Sequence, residues 1–201
     1  MVCKVLRERV QVGVETGRLF AQCWCMKRVW VTVYLLAAAI FVAGCGKPSE
    51  SAPASPAVAA FPAIPTVAQP KLATIKLWIG PEEMITEMAL TELQEQTGMM
   101  FRTNMEENEG MIFVFPEPVR ASFWMKNTVL PLSAAYISPA GTILEIHDLQ
   151  PQDTNVVLAA TGNVQFVLET RQGWFKRHNI TVGMSISTEK GPLPKVFFPG
   201  R

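Results

Sequence analysis

The stretch MIFVFPEPVRASFWMKNTVLPL, Met111–Leu132, decides how this chain folds. MIFVF, Met111–Phe115, is an apolar run of strand length, stopped by Pro116 and Pro118, neither of which can donate to a ladder. VRASFWM, Val119–Met125, alternates. It sets Val119, Ala121, Phe123 and Met125 on one face, with Arg120, Ser122 and Trp124 on the other. Lys126-Asn127-Thr128 then forms a turn before an apolar run broken by Pro131. Short strands punctuated by proline and polar corners are the pattern of a β-rich domain.

The flanking segments agree. LATIKLWIG, Leu72–Gly80, reads as a strand with Ile75, Leu77 and Ile79 on one face, ended by Gly80-Pro81. EEMITEMAL, Glu82–Leu90, fits either period, and strand is favoured for its later half. Thr91-Glu92-Leu93-Gln94 is a capping box opening a short helix that stops at Gly98. LSAAYIS runs into the turn Ser138-Pro139-Ala140-Gly141, followed by the strands TILEIHDL and NVQFVLET. RQGWFKRHNI is a short helix or turn before VGMSI. The predicted class is mainly β with one or two short helices (α+β), a compact β-sandwich or partly open β-barrel over residues 72–188. Proline-rich residues 189–201 are expected to be a flexible tail.

Upstream lies an address. Lys27-Arg28, the uncharged run Val29–Val42 of 14 residues, and Val42-Ala43-Gly44-Cys45 follow in the order of a secretory signal. The run is shorter than the roughly 20 residues that a membrane span needs. Small residues before a cysteine resemble the lipobox of bacterial lipoproteins. That resemblance implies signal peptide 26–44, a diacylated and N-acylated Cys45, and an exported, lipid-anchored envelope protein. Gly46 after the cysteine points to the periplasmic face of the outer membrane if the cell is Gram-negative. Residues 1–25 do not extend this signal, and Met26 is expected to be the true start. Cys23-Trp24-Cys25 then has no role as a metal or redox pair. Residues 45–71, rich in Pro, Ala and Ser, are a tether carrying the lipid.

GMMFR (Gly98–Arg102), EGMIFVFP (Glu109–Pro116), FWMKNTVLPL (Phe123–Leu132), FVLET (Phe166–Thr170) and GWFKRHNITVGM (Gly173–Met184) resemble, in order and spacing, the domain of unknown function 192 family. The likeness covers about residues 73–187. It implies a β-rich barrel or sandwich in small exported proteins, and it supplies no reaction. Ser133 stands where many members carry Asp, and Ser138 and Met184 replace commonly acidic positions.

From Gly46 onward, 12 Lys and Arg face 15 Asp and Glu, a net charge of −3 that gives phosphate backbones no basic face. All four cysteines lie at or before Cys45, so the folded part has no disulfide framework. The candidate site is a rim of Arg102, Trp124, Lys126, Asn127 and Thr128. There an aromatic face is bordered by guanidinium, amide and hydroxyl groups suited to a small polar ligand, a glycan or an envelope protein. The alternative is a structural corner, with Asn127 and Thr128 bonding the turn backbone and Arg102 paired with a carboxylate such as Glu109. Two further readings stand behind it. One is an envelope hydrolase acting on carbohydrate or peptide, using Arg102, Asn127 and His147, with Ser122 across the strands. The other is a periplasmic copper protein using some of the eight methionines of the folded part. Methionine is chiefly a core filler. His147 and Asp148 are adjacent, so on a strand they face apart and form no dyad. Glu106, Glu107 and Glu109 with Asn104 and Asn108 lack calcium-loop spacing and read as a solvated acidic turn. No catalytic set, metal site or cofactor is assigned.

Overall fold

The computed structural model describes residues 64–200; the lipobox, Cys45, the first 25 residues and the tether up to residue 63 lie outside the described residues. Ten strands and three short helices follow in the order β1 (Thr74–Ile79), β2 (Glu82–Ala89), α1 (Glu92–Thr97), β3 (Glu109–Val119), β4 (Ser122–Phe123), β5 (Leu132–Ile137), β6 (Ile143–Leu149), β7 (Val157–Leu158), β8 (Val164–Arg171), α2 (Trp174–Arg177), β9 (Ile186–Thr188), β10 (Gly191–Pro192) and α3 (Leu193–Phe197). Eight strands make one mixed sheet in the order β10-β9-β1-β2-β3-β8-β5-β6, and β4 and β7 form a separate pair. Only β2 and β3 run parallel, joined through α1. A bridge from Thr142 to Ser185 brings the chain ahead of β9 against the start of β6. The sheet nevertheless stays open and is not a closed barrel. The architecture is sandwich-like α+β.

Side-chain alternation in the central strands feeds two cores. Ile75, Leu77 and Ile79 are buried with Ile112, Phe166, Leu168 and Trp174 on one face, as the period-two pattern requires. The opposite face carries Met99, Met100, Met105, Met111 and Met125 with Phe113, Phe123 and Tyr136. The methionines predicted as fillers are therefore core residues. The capping box forms as predicted: Thr91 Oγ1 accepts from Gln94 N, and Gln94 Oε1 accepts from Thr91 N.

Four expectations are corrected. β2 is strand along all of Glu82–Ala89, because pairing with both β1 and β3 overrides its ambiguous period. The prolines do not end β3. The ladder to β8 shifts register between Val114 and Val119, the exposed Pro116-Glu117-Pro118 bulges out, and Gln165 Nε2 donates to the carbonyls of Phe115 and Pro116. The segment predicted as a single strand from Val119 to Met125 is split, since Ser122 and Phe123 leave the main sheet to pair with β7. Finally, residues 189–201 are no loose tail as far as they are described. Leu193 is fully buried, and the rings of Phe197 and Phe198 each lie 5.9 Å from Phe166. Pro192 and Pro194 pre-set the entry into α3.

The domain also begins earlier than Leu72. Gln69 Nε2 donates to the carbonyls of Gln94 and Gly98, so the last residues assigned to the tether are fastened to α1.

Candidate functional site

The residues of the predicted rim are occupied by structural contacts. Arg102 lays its fork on Glu87, with Nη1 to Oε1 at 2.5 Å and Nη2 to Oε2 at 2.8 Å. Its partner is thus Glu87 and not Glu109, which instead meets Lys71. Leu72 N also donates to Glu87, at 2.7 Å. Burial works to raise the Glu87 carboxyl, but these hydrogen bonds and the Arg102 charge outweigh it and hold the group below its usual range. Trp124 packs half-buried against the methionine-rich core, with its indole nitrogen buried and unpartnered, and Lys126 Nζ sits 5.4 Å from its ring centroid. Asn127 adopts φ 59°, a left-handed turn that asparagine tolerates, and its carbonyl accepts from Phe101 N. Thr128 is fully buried.

An open cleft of about 430 Å³ lies beside this rim, and none of the five residues lines it. Its walls are loop 103–107, the end of the same stretch at Leu130–Leu132, and the β8–α2 junction with Arg171, Gln172 and Arg177. The opening motif therefore contributes through its last residues. The junction depends on Gly173. It has φ 74°, a Cβ there would sit 3.0 Å from Arg177 Nη1, and its N–H donates to Ser133 Oγ at 2.8 Å. Ser133 in turn donates to Asp148, its cross-strand neighbour on β6.

The mouth of the cleft is ionic. Arg177 directs Nε and Nη2 at Glu107 Oε1, at 3.0 and 2.8 Å, and gives Nη1 to the Gln172 carbonyl. Arg171 is half exposed and makes only a long 3.9 Å contact to Glu107. His178 stacks on Trp174 at 4.5 Å and lies between Glu82 at 3.1 Å and Glu107 at 3.4 Å. The Arg177 hydrogen bonds, together with the Arg177 charge, the His178 hydrogen bond and the Arg171 charge, outweigh the opposing effect of burial and hold the Glu107 carboxyl below its usual range. Neighbouring acids are engaged too: Glu106 Oε1 accepts from Asn104, and Glu109 Oε2 accepts from Glu106 N. Among the described residues no three His, Cys, Asp or Glu side chains are arranged to hold a metal.

The hydrolase set does not assemble. His147 Nε2 is 2.9 Å from Glu145, and its ring packs against Tyr136. Arg102 is held at β2, four strand spacings or about 19 Å across the sheet from β6. Ser122 pairs in register with Leu158 of β7 and is buried.

One residue of this region was not singled out from the sequence. Glu169 on β8 is fully buried, and neither carboxyl oxygen has a partner. Burial pushes it up to about 8. The register places it beside Met111 of β3 and Ala134 of β5, on the face that carries the cleft-lining Arg171 and Leu132. A charged residue inside the apolar strand FVLET was the available signal.

Comparison with known proteins places this fold. A protein from Sinorhizobium meliloti 1021, assigned provisionally as a transcription regulator, aligns with 28% identity and TM-score 0.57 over 60% of this chain and 98% of its own. A protein of unknown function from Novosphingobium aromaticivorans DSM 12444 aligns with 30% identity and TM-score 0.55 over 64% of this chain and 94% of its own. No curated protein matches the chain. The sequence profile of DUF192, described as "Uncharacterized ACR", matches residues 76–188. With more than half its length so matched, the chain belongs to the DUF192 family.

Proposed function

We propose that this DUF192 domain is a non-catalytic binding module of the cell envelope, anchored by lipid on Cys45 and taking an anionic group of a small polar ligand or envelope partner into the Arg171–Arg177 cleft. The observation that carries the reading is a cleft of about 430 Å³ in which two guanidinium groups face a single carboxylate, Glu107, leaving Arg171 lightly engaged. Arginine suits this role because its planar fork matches a carboxylate. Arg102, Trp124, Lys126, Asn127 and Thr128 then act as the frame that holds loop 98–108 in place, through the Arg102–Glu87 pair and the Asn127 carbonyl. The lipobox order of Lys27-Arg28, Val29–Val42 and Cys45 supports export to the periplasmic side with a membrane-held lipid. Among the described residues no helix is long and apolar enough to cross a membrane.

The test has two arms. Labelled palmitate should enter the full chain and be lost in Cys45→Ser; retention in the variant would remove the anchor. Calorimetric titration with N-acetyl-alanyl-alanine, a small carboxylate, should give heat that Arg171→Gln abolishes. Equal heat in both proteins would refute the cleft.

A further inference from the structure

The cleft has a charged mouth, and behind it lies an acid with nothing to bind. Glu169 sits one alternate position inward from Arg171 on β8, about 7 Å along the strand, and on the same face of the sheet. Its cross-strand neighbours Met111 and Ala134 belong to the same core cluster as Met105, a flexible side chain that also lines the cleft. Buried polar groups are nearly always satisfied, so two orphan carboxyl oxygens beside an open cleft mark a missing partner. A hydrogen-bond donor would satisfy both oxygens, and none on the protein reaches them. The mouth selects the opposite character: Arg171 is a donor and takes an anion.

Resting on the anion-accepting cleft above, we infer that its ligand is amphoteric, a short peptide whose terminal carboxylate lies on Arg171 and whose amino group reaches Glu169. The Cα positions of Arg171 and Glu169 are about 7 Å apart along the strand, and a short extended peptide holds its two charged ends apart on that scale. The proton balance follows from the burial that keeps Glu169 protonated near neutral pH, its pKa standing at about 8. The ammonium arrives charged, the Glu169 carboxyl gives its proton to solvent, and a salt bridge forms inside. One proton is released per ligand bound.

The experiment is calorimetry on the full chain at pH 7, in two buffers of different ionisation enthalpy, with alanyl-alanine and with N-acetyl-alanyl-alanine. Alanyl-alanine should bind with proton release. The acetylated probe should bind about tenfold or more weakly, with none. Glu169→Gln should erase both the difference and the released proton, and Arg171→Gln should weaken both probes. Equal affinity without proton release on the unaltered protein overturns the Glu169 assignment yet leaves the anion cleft standing. Binding of neither probe overturns both. The comparison of the two probes needs no variant, so it decides the matter even if Glu169→Gln fails to fold.

Discussion

Two buried carboxylates flank Met111 on one face of the sheet, Glu87 on β2 and Glu169 on β8, about 10 Å apart. They share residue type, strand setting and hydrophobic surroundings, and they end in opposite states. Glu87 meets a guanidinium and a backbone N–H, and its charge is held. Glu169 meets nothing, and burial drives it towards the neutral acid. The difference shows that depth alone does not set the state of a buried acid; the donors brought to it do. One carboxylate closes the structure by tying loop 98–103 and the end of the tether to β2. The other lies two residues from the cleft-lining Arg171 and has no donor.

The largest expected effect breaks the closed side. Arg102→Ala leaves Glu87 buried without its counter-charge and should cost about 3–5 kcal/mol in chemical denaturation. Adding Glu87→Gln should recover part of that loss. If the single variant is as stable as the parent, the pair does not lock the loop.

The open side should move the other way. The folded-state pKa of Glu169 lies above its ordinary 4.5, so the fold holds a proton that the unfolded chain releases. Its contribution is intact below about pH 4.5 and declines as pH rises towards about 8. Glu169→Met should therefore stabilise the protein by about 3 kcal/mol at pH 7 and flatten this decline. Glu87 has the reverse sign: its lowered pKa gives stability above the unfolded value that disappears as pH falls through the folded one. Denaturation midpoints from pH 3 to 9 in Glu169→Met and Glu87→Gln separate the two, and a shared slope would contradict the contrast.

Smaller effects sharpen it. Met111→Leu keeps volume between the two acids and should cost about 1 kcal/mol with no change in pH profile. Glu107→Gln removes an exposed, solvent-screened partner of Arg177 and should change stability by less than about 0.5 kcal/mol. Its visible consequence should be tighter binding of N-acetyl-alanyl-alanine, since the competing carboxylate is gone. Unchanged or weaker binding would indicate that Glu107 positions the arginines rather than competing for them.

Much of this fold is legible in short-range pattern. Alternation put Ile75, Leu77 and Ile79 inside, and Thr91 to Gln94 announced a helix start, because both rules involve neighbours within a turn or a strand face. The pattern failed where distant pairing decides. Pro116 and Pro118 looked like a stop, yet β8 holds the chain on both sides of them. Leu193, Phe197 and Phe198 looked like part of a loose end until Phe166 gave them a surface. The rim around Trp124 was readable as a corner with polar groups. Which carboxylate Arg102 would choose was not, since Glu87 and Glu109 lie on adjacent strands, and the one nearer in sequence is not the one it meets.

The amino-acid sequence by itself determined the β-rich class, the capped helix and the family resemblance, because alternation, capping and local motifs act over a few residues. Only the tertiary structure decided that the cleft is walled by loop 103–107 and the β8–α2 junction, and that Glu169 is left without a donor while Glu87 is not. Those outcomes depend on which strands become neighbours in the sheet, and strand order is a property of the whole packed chain rather than of any segment.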